Sequence, residues 1–99
     1  PAANAYLTAT ERREAPVLYR ALMVGAAAVA GGETNPDTVS MLMAEMVGSA
    51  TTGELDYAAV IDPDTFEAPP RIARAGVRLL VACRFGRARL IDNMAAVPA

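Results

Sequence analysis

The sequence contains no histidine, lysine, tryptophan or glutamine, and it has a single cysteine. Without histidine, the common zinc ligand sets cannot be assembled within this chain. The same absences remove the usual general base near neutral pH, the Ser–His pair, the lysine Schiff base and the phosphate-binding lysine of a P-loop. Carboxylates, arginines, three tyrosines, two serines and one thiol remain. These absences exclude metal catalysis by nitrogen or sulfur ligands and leave few side chains for catalysis, and we expect no catalytic residue and no metal site in this chain.

The remaining composition predicts one folded domain covering residues 1–99, since 54% of the residues are hydrophobic and the chain is short. The single Cys83 cannot form an internal disulfide, which favours a reducing, cytoplasmic setting. The longest uncharged stretch, Ala21 to Gly32, is about half of the roughly 20 residues that a membrane helix needs. No basic segment followed by an apolar one opens the sequence. We therefore expect neither a membrane partner nor a secretion signal.

The charged residues are unevenly distributed, although the net charge is only −2. Every charged residue between positions 21 and 70 is acidic, and every one from Arg71 to Arg89 is an arginine. The simplest interpretation is that the two blocks face each other across the fold or lie on opposite solvated faces. An anion-binding face is the alternative. We expect no nucleic-acid partner, because the chain is acidic overall and the arginine block contains only one aromatic residue, Phe85.

Two helices are predicted in the first half of the chain. A capping box at residues 8–11 and apolar residues at three- and four-residue steps predict the first helix, which should end at a Gly-Gly pair. Pro16 lies inside this pattern, so we expect a kink or a restart of the main helix near that residue. Asn35 as N-cap and Gly48 as stop predict the second helix over about Pro36 to Val47.

The second half of the chain has the pattern of strands. Strands are predicted over Leu55 to Ile61, Val77 to Phe85 and Ala88 to Met94, and Arg71 to Ala75 could form one helical turn. Gly86-Arg87, between the last two strands, suits a type II′ hairpin turn. Helices followed by strands predict an α+β fold, in which two helices pack on a small three-stranded, mainly antiparallel β-sheet.

The hairpin and three upstream segments carry a more specific signal. Residues 79–93 read Leu-Leu-Val-Ala-Cys-Arg-Phe-Gly-Arg-Ala-Arg-Leu-Ile-Asp-Asn. The upstream segments are Asn4-Ala5-Tyr6-Leu7-Thr8, Ala-Pro-Val-Leu-Tyr-Arg-Ala-Leu at 15–22, and the stretch from Asp56-Tyr57 to Asp62-Pro63-Asp64-Thr65. In this order the four segments resemble the carboxy-terminal domain of the pantothenate synthetases, the pantoate–β-alanine ligases. The most specific piece is Arg-Leu-Ile-Asp-Asn, and together they cover nearly the whole chain.

The resemblance implies a lid and not a complete enzyme. In that family ATP and pantoate form a pantoyl adenylate with the help of Mg²⁺, and β-alanine then attacks it to give pantothenate and AMP. An amino-terminal Rossmann-like domain of the nucleotidyltransferase-like superfamily carries the histidine-rich nucleotide signature, and the carboxy-terminal domain is a hinged lid over it. The resemblance thus implies a bacterial, cytoplasmic lid domain that is inactive alone and binds no cofactor itself. Its partner is the amino-terminal domain, and a homodimer is compatible with this interpretation.

The first residues depart from the family pattern. Family members usually carry Ser-Ser-Arg before the Asn-x-Tyr-Leu block, where these residues hold ATP phosphates, whereas this chain has Pro1, Ala2 and Ala3. Asn4 is the one remnant of this nucleotide loop, either as a ligand or as a turn or cap residue. The absence of these phosphate-binding side chains also motivates a second hypothesis. On this hypothesis the chain is a stand-alone interaction or oligomerisation module with the lid fold and no catalysis.

Polar residues in the hairpin suggest a site, but structural roles are the simpler prediction. Arg89 and Asp92 are three positions apart, so they point to opposite faces of a straight strand and cannot pair simply. We expect a sheet-end salt bridge or turn support from these residues and Asn93. Cys83 lies in the most apolar run of the sequence, which predicts a buried, unreactive thiol with a raised pKa.

Overall fold

The computed structural model describes residues 12, 16–50 and 53–99. The described residues form two helices, α1 (Val17–Ala30) and α2 (Pro36–Ala50), followed by three strands, β1 (Glu54–Ile61), β2 (Val77–Phe85) and β3 (Ala88–Ala96). The strands form one antiparallel sheet in the order β1-β2-β3. The helices pack on one face of it, with α1 over β2 and β3 and α2 over β1. The predicted α+β architecture is confirmed.

Helix α1 begins directly after Pro16, as one of the two predicted arrangements requires. A proline at a helix start loses nothing by lacking an N–H, and its carbonyl accepts a hydrogen bond from the Arg20 N–H at 3.2 Å. The helix ends in a Schellman motif, in which Gly32 has φ +106° and the Glu33 N–H reaches the Ala28 carbonyl at 2.9 Å. The predicted capping box at residues 8–11 lies outside the described residues.

Helix α2 starts as predicted and ends later than predicted. The Asn35 side chain caps it by accepting a hydrogen bond from the Asp37 N–H at 2.9 Å. The prediction that Gly48 ends the helix is wrong, because α2 continues to Ala50. Gly48 does not adopt the positive φ that terminates a helix.

The core lies between the helices and the sheet. The residues of β2 that point towards the helices alternate along the strand and are all buried: Val77, Leu79, Val81, Cys83 and Phe85. Buried side chains of both helices meet them, including Leu22 and Val29 from α1 and Met43 from α2. The other face of the sheet has no helix on it within the described part of the chain.

Strand β1 contains a β-bulge at Asp56. Leu55 pairs with Cys83 while Tyr57 pairs with the adjacent Ala82, so Asp56 has no partner of its own in β2. In a straight strand Leu55 and Tyr57 would share a face, and the bulge places them on opposite faces. This local change decides which side chains reach the solvent face of the sheet.

The hairpin between β2 and β3 has the predicted turn. Phe85 pairs with Ala88, which leaves a two-residue loop. Gly86 has φ +60° and Arg87 does not have a positive φ, which is the pattern of a type II′ turn. This turn sets the register in which β3 lies against β2.

The helical turn considered for Arg71 to Ala75 is not present. The Gly76 N–H bonds the Ala73 carbonyl at 2.9 Å in a single β-turn. The N–H of Ile72 instead reaches the Thr34 carbonyl at 2.8 Å, so a long-range bond, and no helical one, holds this segment. In the described part of the chain no helix is long and apolar enough to cross a membrane.

Candidate functional site

A solvent-open cleft of about 290 Å³ lies where the start of α1 meets the edge of β3. Its lining residues are Arg12, Pro16, Leu18, Tyr19, Leu90, Ile91 and Asp92. Most of this lining is apolar, and a guanidinium, a phenol and a carboxylate stand among it. Pockets that enclose a ligand usually measure about 300–1,000 Å³ and bury most of the ligand surface. A cleft of this size that is open to solvent does not enclose a ligand by itself.

Asp92 and Arg89 lie on opposite faces of β3, as predicted from their spacing. Asp92 pairs with the buried Val81 and faces the helix side of the sheet, where it contributes to the cleft. Its Oδ1 accepts a hydrogen bond from the Asn93 N–H at 2.8 Å. Arg89 pairs with Arg84 and lies on the solvent face. The hairpin therefore does not bring its guanidinium and its carboxylate into one site.

The partner of Arg89 is Asp56, the bulge residue of β1. Arg89 Nε donates a hydrogen bond to Asp56 Oδ2 at 2.6 Å, and its guanidinium carbon lies 5.8 Å from the centre of the Tyr57 ring. The hydrogen bond to Asp56 raises the pKa of Arg89 above its ordinary value. This cluster ties β1 to β3 across β2, so its geometry assigns it a structural role. Sequence reasoning predicted a sheet-end salt bridge but not this partner, because the bulge leaves no local signal.

A second solvent-face arginine is also engaged. Arg78 Nε donates to Asn93 Oδ1 at 2.9 Å, between β2 and β3. The hydrogen bond fixes the Asn93 side chain on the solvent face, away from the cleft. Two of the arginines between Arg71 and Arg89 thus contribute to sheet stability: Arg78 on β2 and Arg89 on β3.

Cys83 is fully buried in the core, as predicted. Burial raises the pKa of its thiol above the ordinary value, and the negative charge of Asp56 raises it further. A thiol in this environment stays protonated at neutral pH and is a poor nucleophile. The structure therefore confirms the expectation of an unreactive side chain.

The described residues offer no metal centre, because no group of three or more His, Cys, Asp or Glu side chains among them could hold an ion. No charged or polar residue among them is buried. Apart from the buried Cys83 thiol, residues 16–50 and 53–99 therefore contain no candidate for a general acid or base with a pKa perturbed by burial. Asn4, the nucleotide-loop residue suggested by the sequence, lies outside the described residues.

Comparison with known proteins gives one consistent family. The family model described as pantoate-beta-alanine ligase matches residues 2–95. A pantothenate synthetase of Geobacillus thermodenitrificans is 46% identical over 92 residues, which is 92% of this chain and 31% of that protein. One from Herpetosiphon aurantiacus is 38% identical over 91 residues, again 92% of this chain but 33% of that protein.

A solved structure agrees with the sequence comparisons. The crystal structure of pantothenate synthetase from Thermus thermophilus matches with a TM-score of 0.88 and 33% identity. The match covers 99% of this chain and 35% of that protein. The chain thus spans about a third of the length of the relatives that it matches.

Proposed function

The chain belongs to the pantoate-beta-alanine ligase family, and we propose that it is the lid domain of an enzyme that joins pantoate to β-alanine with ATP. The observation that carries this proposal is the extent of the match. The whole fold corresponds to the carboxy-terminal third of pantothenate synthetases, while the other two thirds have no counterpart here. On this proposal the 99-residue chain alone is inactive and works with an amino-terminal Rossmann-like domain.

The proposed reaction has two steps. The pantoate carboxylate attacks the α-phosphorus of ATP, which forms a pantoyl adenylate and releases pyrophosphate. The β-alanine amine then attacks the acyl carbon, an amide bond forms, a proton leaves the amine and AMP departs. The proposal assigns Mg²⁺ and most nucleotide contacts to the other domain, as the family resemblance implies.

A lid to which the proposal assigns no catalytic residue contributes by covering the site. An acyl adenylate is lost to hydrolysis if water reaches it, and closing a domain over the site excludes water. The cleft beside α1 supports this role, because it is open on one side, largely apolar and close to the start of the chain's first described helix. Asn4 is the only residue of the chain that the proposal places near the nucleotide.

The proposal also covers the setting of the protein. We assign it to the bacterial cytoplasm, with its own amino-terminal domain as partner, no nucleic acid and a homodimer as a compatible assembly. The competing function, a stand-alone interaction module, is favoured by Pro1, Ala2 and Ala3 at the positions where the family carries Ser-Ser-Arg.

The test begins with the mass of the native polypeptide, followed by an assay of AMP and pantothenate formation from ATP, pantoate and β-alanine. We expect a product about three times as long as this chain, which ligates, while the 99-residue chain does not. A native product of only this length without ligation would overturn the lid function and leave the stand-alone module.

A second experiment tests the assignment of Asn4. In the longer polypeptide, Asn4→Ala should raise KM for ATP, because a contact to the nucleotide is lost. Asn93→Ala is the matched control, since Asn93 bonds Arg78 on the sheet surface. An unchanged KM for ATP in Asn4→Ala would leave Asn4 as a turn or cap residue.

A further inference from the structure

Helix α1 has an apolar surface on nearly every side. From Val17 to Ala30 it contains one charged residue, Arg20. A helix that is hydrophobic all round is normally buried all round, because a solvent-facing side is usually charged or polar. Within the described residues only one side of α1 is covered, the side that packs on α2 and the sheet.

The uncovered side is a continuous row of apolar residues. Tyr19, Met23, Ala27 and Ala30 are all exposed and recur at steps of three or four residues, so they lie along one side of the helix. Tyr19 is 56% exposed and Met23 is 47% exposed. We call these four residues the α1 outer row. The two alanines allow another element to approach closely, since the distance between packed elements depends on the side chains at the contact.

Helix α2 provides the contrast. Its outward side carries Asp37, Glu45 and Ser49 together with one apolar residue, Met41, which is 58% exposed. A mixture of this kind is ordinary for a helix that faces water. The α1 outer row is therefore a property of one helix and not of the helical layer as a whole.

The α1 outer row is continuous with the cleft, which begins at Pro16 and includes Tyr19. The cleft and Tyr19, the first residue of the row, lie at the amino-terminal end of the described fold, and the row continues along α1 to Ala30. In the relatives about two thirds of the polypeptide lie outside the matched part, and the match is to their carboxy-terminal part. The remaining domain would thus precede the described fold in the polypeptide. A tethered domain reaches a nearby surface at high effective concentration.

We propose that the α1 outer row and the adjoining cleft form the surface on which the amino-terminal domain of the same polypeptide docks. This inference rests on the proposed function for one premise, that the chain is one part of a longer polypeptide with an amino-terminal domain. It adds which side of the lid faces the rest of the enzyme: the exposed side of α1, and neither the outward side of α2 nor the solvent face of the sheet.

Met23 and Met41 form a matched pair for the test, since both are exposed methionines on neighbouring helices. The 99-residue chain and the longer polypeptide are exposed to dilute hydrogen peroxide, and the rate of sulfoxide formation at each methionine is followed by peptide mass spectrometry. We expect Met23 to oxidise severalfold more slowly in the longer polypeptide, with the rate at Met41 unchanged. Equal rates at Met23 in the two proteins, or equal slowing at both methionines, would overturn the proposal.

Two further measurements separate the alternatives. If protection of Met23 appears in the 99-residue chain alone and grows with its concentration, a second copy and not the amino-terminal domain is the occupant. In the longer polypeptide, Met23→Glu should lower the ligation rate, while Met41→Glu should not. The oxidation rates do not depend on activity, so Met23 protection without ligation would refute the proposed function and leave the docking surface standing.

Discussion

The close packing of α1 can be tested with one substitution made at two glycines. Gly25 lies where α1 meets both α2 and β2, and a Cβ there would lie 3.0 Å from Leu79 Cδ1 and 3.0 Å from Met43 Cγ. Gly48 lies on the exposed side of α2, and nothing lies within 4 Å of the position of its Cβ. Both glycines are helical, so alanine brings a similar gain in helix propensity at each site while the packing differs.

The two substitutions should change the free energy of unfolding in opposite directions. Replacing a helical glycine by alanine gains about 0.5–1 kcal/mol. Inserting a methyl group into a filled core costs about 1–3 kcal/mol. Gly48→Ala should therefore raise the free energy of unfolding by about 0.5–1 kcal/mol, whereas Gly25→Ala should lower it by about 0–2.5 kcal/mol. Each kcal/mol corresponds to about 4–8 °C in Tm for a chain of this size.

Urea denaturation followed by far-ultraviolet circular dichroism measures both variants, because the chain has no tryptophan for fluorescence. An unchanged m value would show that the difference in midpoint reports stability. If Gly25→Ala stabilised the protein as much as Gly48→Ala, the close approach of α1 to α2 and β2 would be refuted.

Three smaller predictions follow from single contacts. Gly76→Ala should destabilise the fold by about 2 kcal/mol or more, measured by urea denaturation, because Gly76 has φ +91° and a Cβ would lie 2.5 Å from Val97. Asn35→Ala should cost about 1 kcal/mol in the same assay through loss of the helix cap, and Asn35→Asp should restore most of it. Cys83 should resist alkylation at neutral pH until the chain unfolds. Burial raises the pKa of this thiol in the folded state, so the unfolded state loses the proton at a lower pH. The free energy of unfolding should therefore fall as pH rises above the ordinary thiol pKa. Cys83→Ala should remove this part of the pH dependence of stability.

Much of the fold was predictable because its signals are local. Asn35 followed by Pro36 marks a helix start, and Gly86 marks the hairpin turn, through backbone preferences that need no distant partner. The end of α2 was predicted wrongly at Gly48 for the same reason. A glycine permits a helix to stop but does not require it, and α2 continues to Ala50.

The bulge at Asp56 shows where local reasoning ends. The short run from Leu55 to Ile61 predicts a strand, and only the pairing with β2 shows that one residue is extra. The partner of Asp56 is Arg89, 33 positions away in the sequence. The spacing of Arg89 and Asp92 excluded an ion pair between them within β3. The register of β1 and β2 decided which carboxylate Arg89 reaches.

The sequence by itself determined the order of helices and strands, the α+β class, the unreactive Cys83 and the family. These follow from composition, from the spacing of apolar residues and from short motifs, which are all properties of the chain alone. Only the tertiary structure decided which apolar residues are covered. The pattern of α1 shows that nearly all of its surface is apolar, but not that Tyr19 and Met23 stay exposed while Leu22 is buried. Burial depends on what lies opposite a side chain, and that is fixed by the packing of the whole fold.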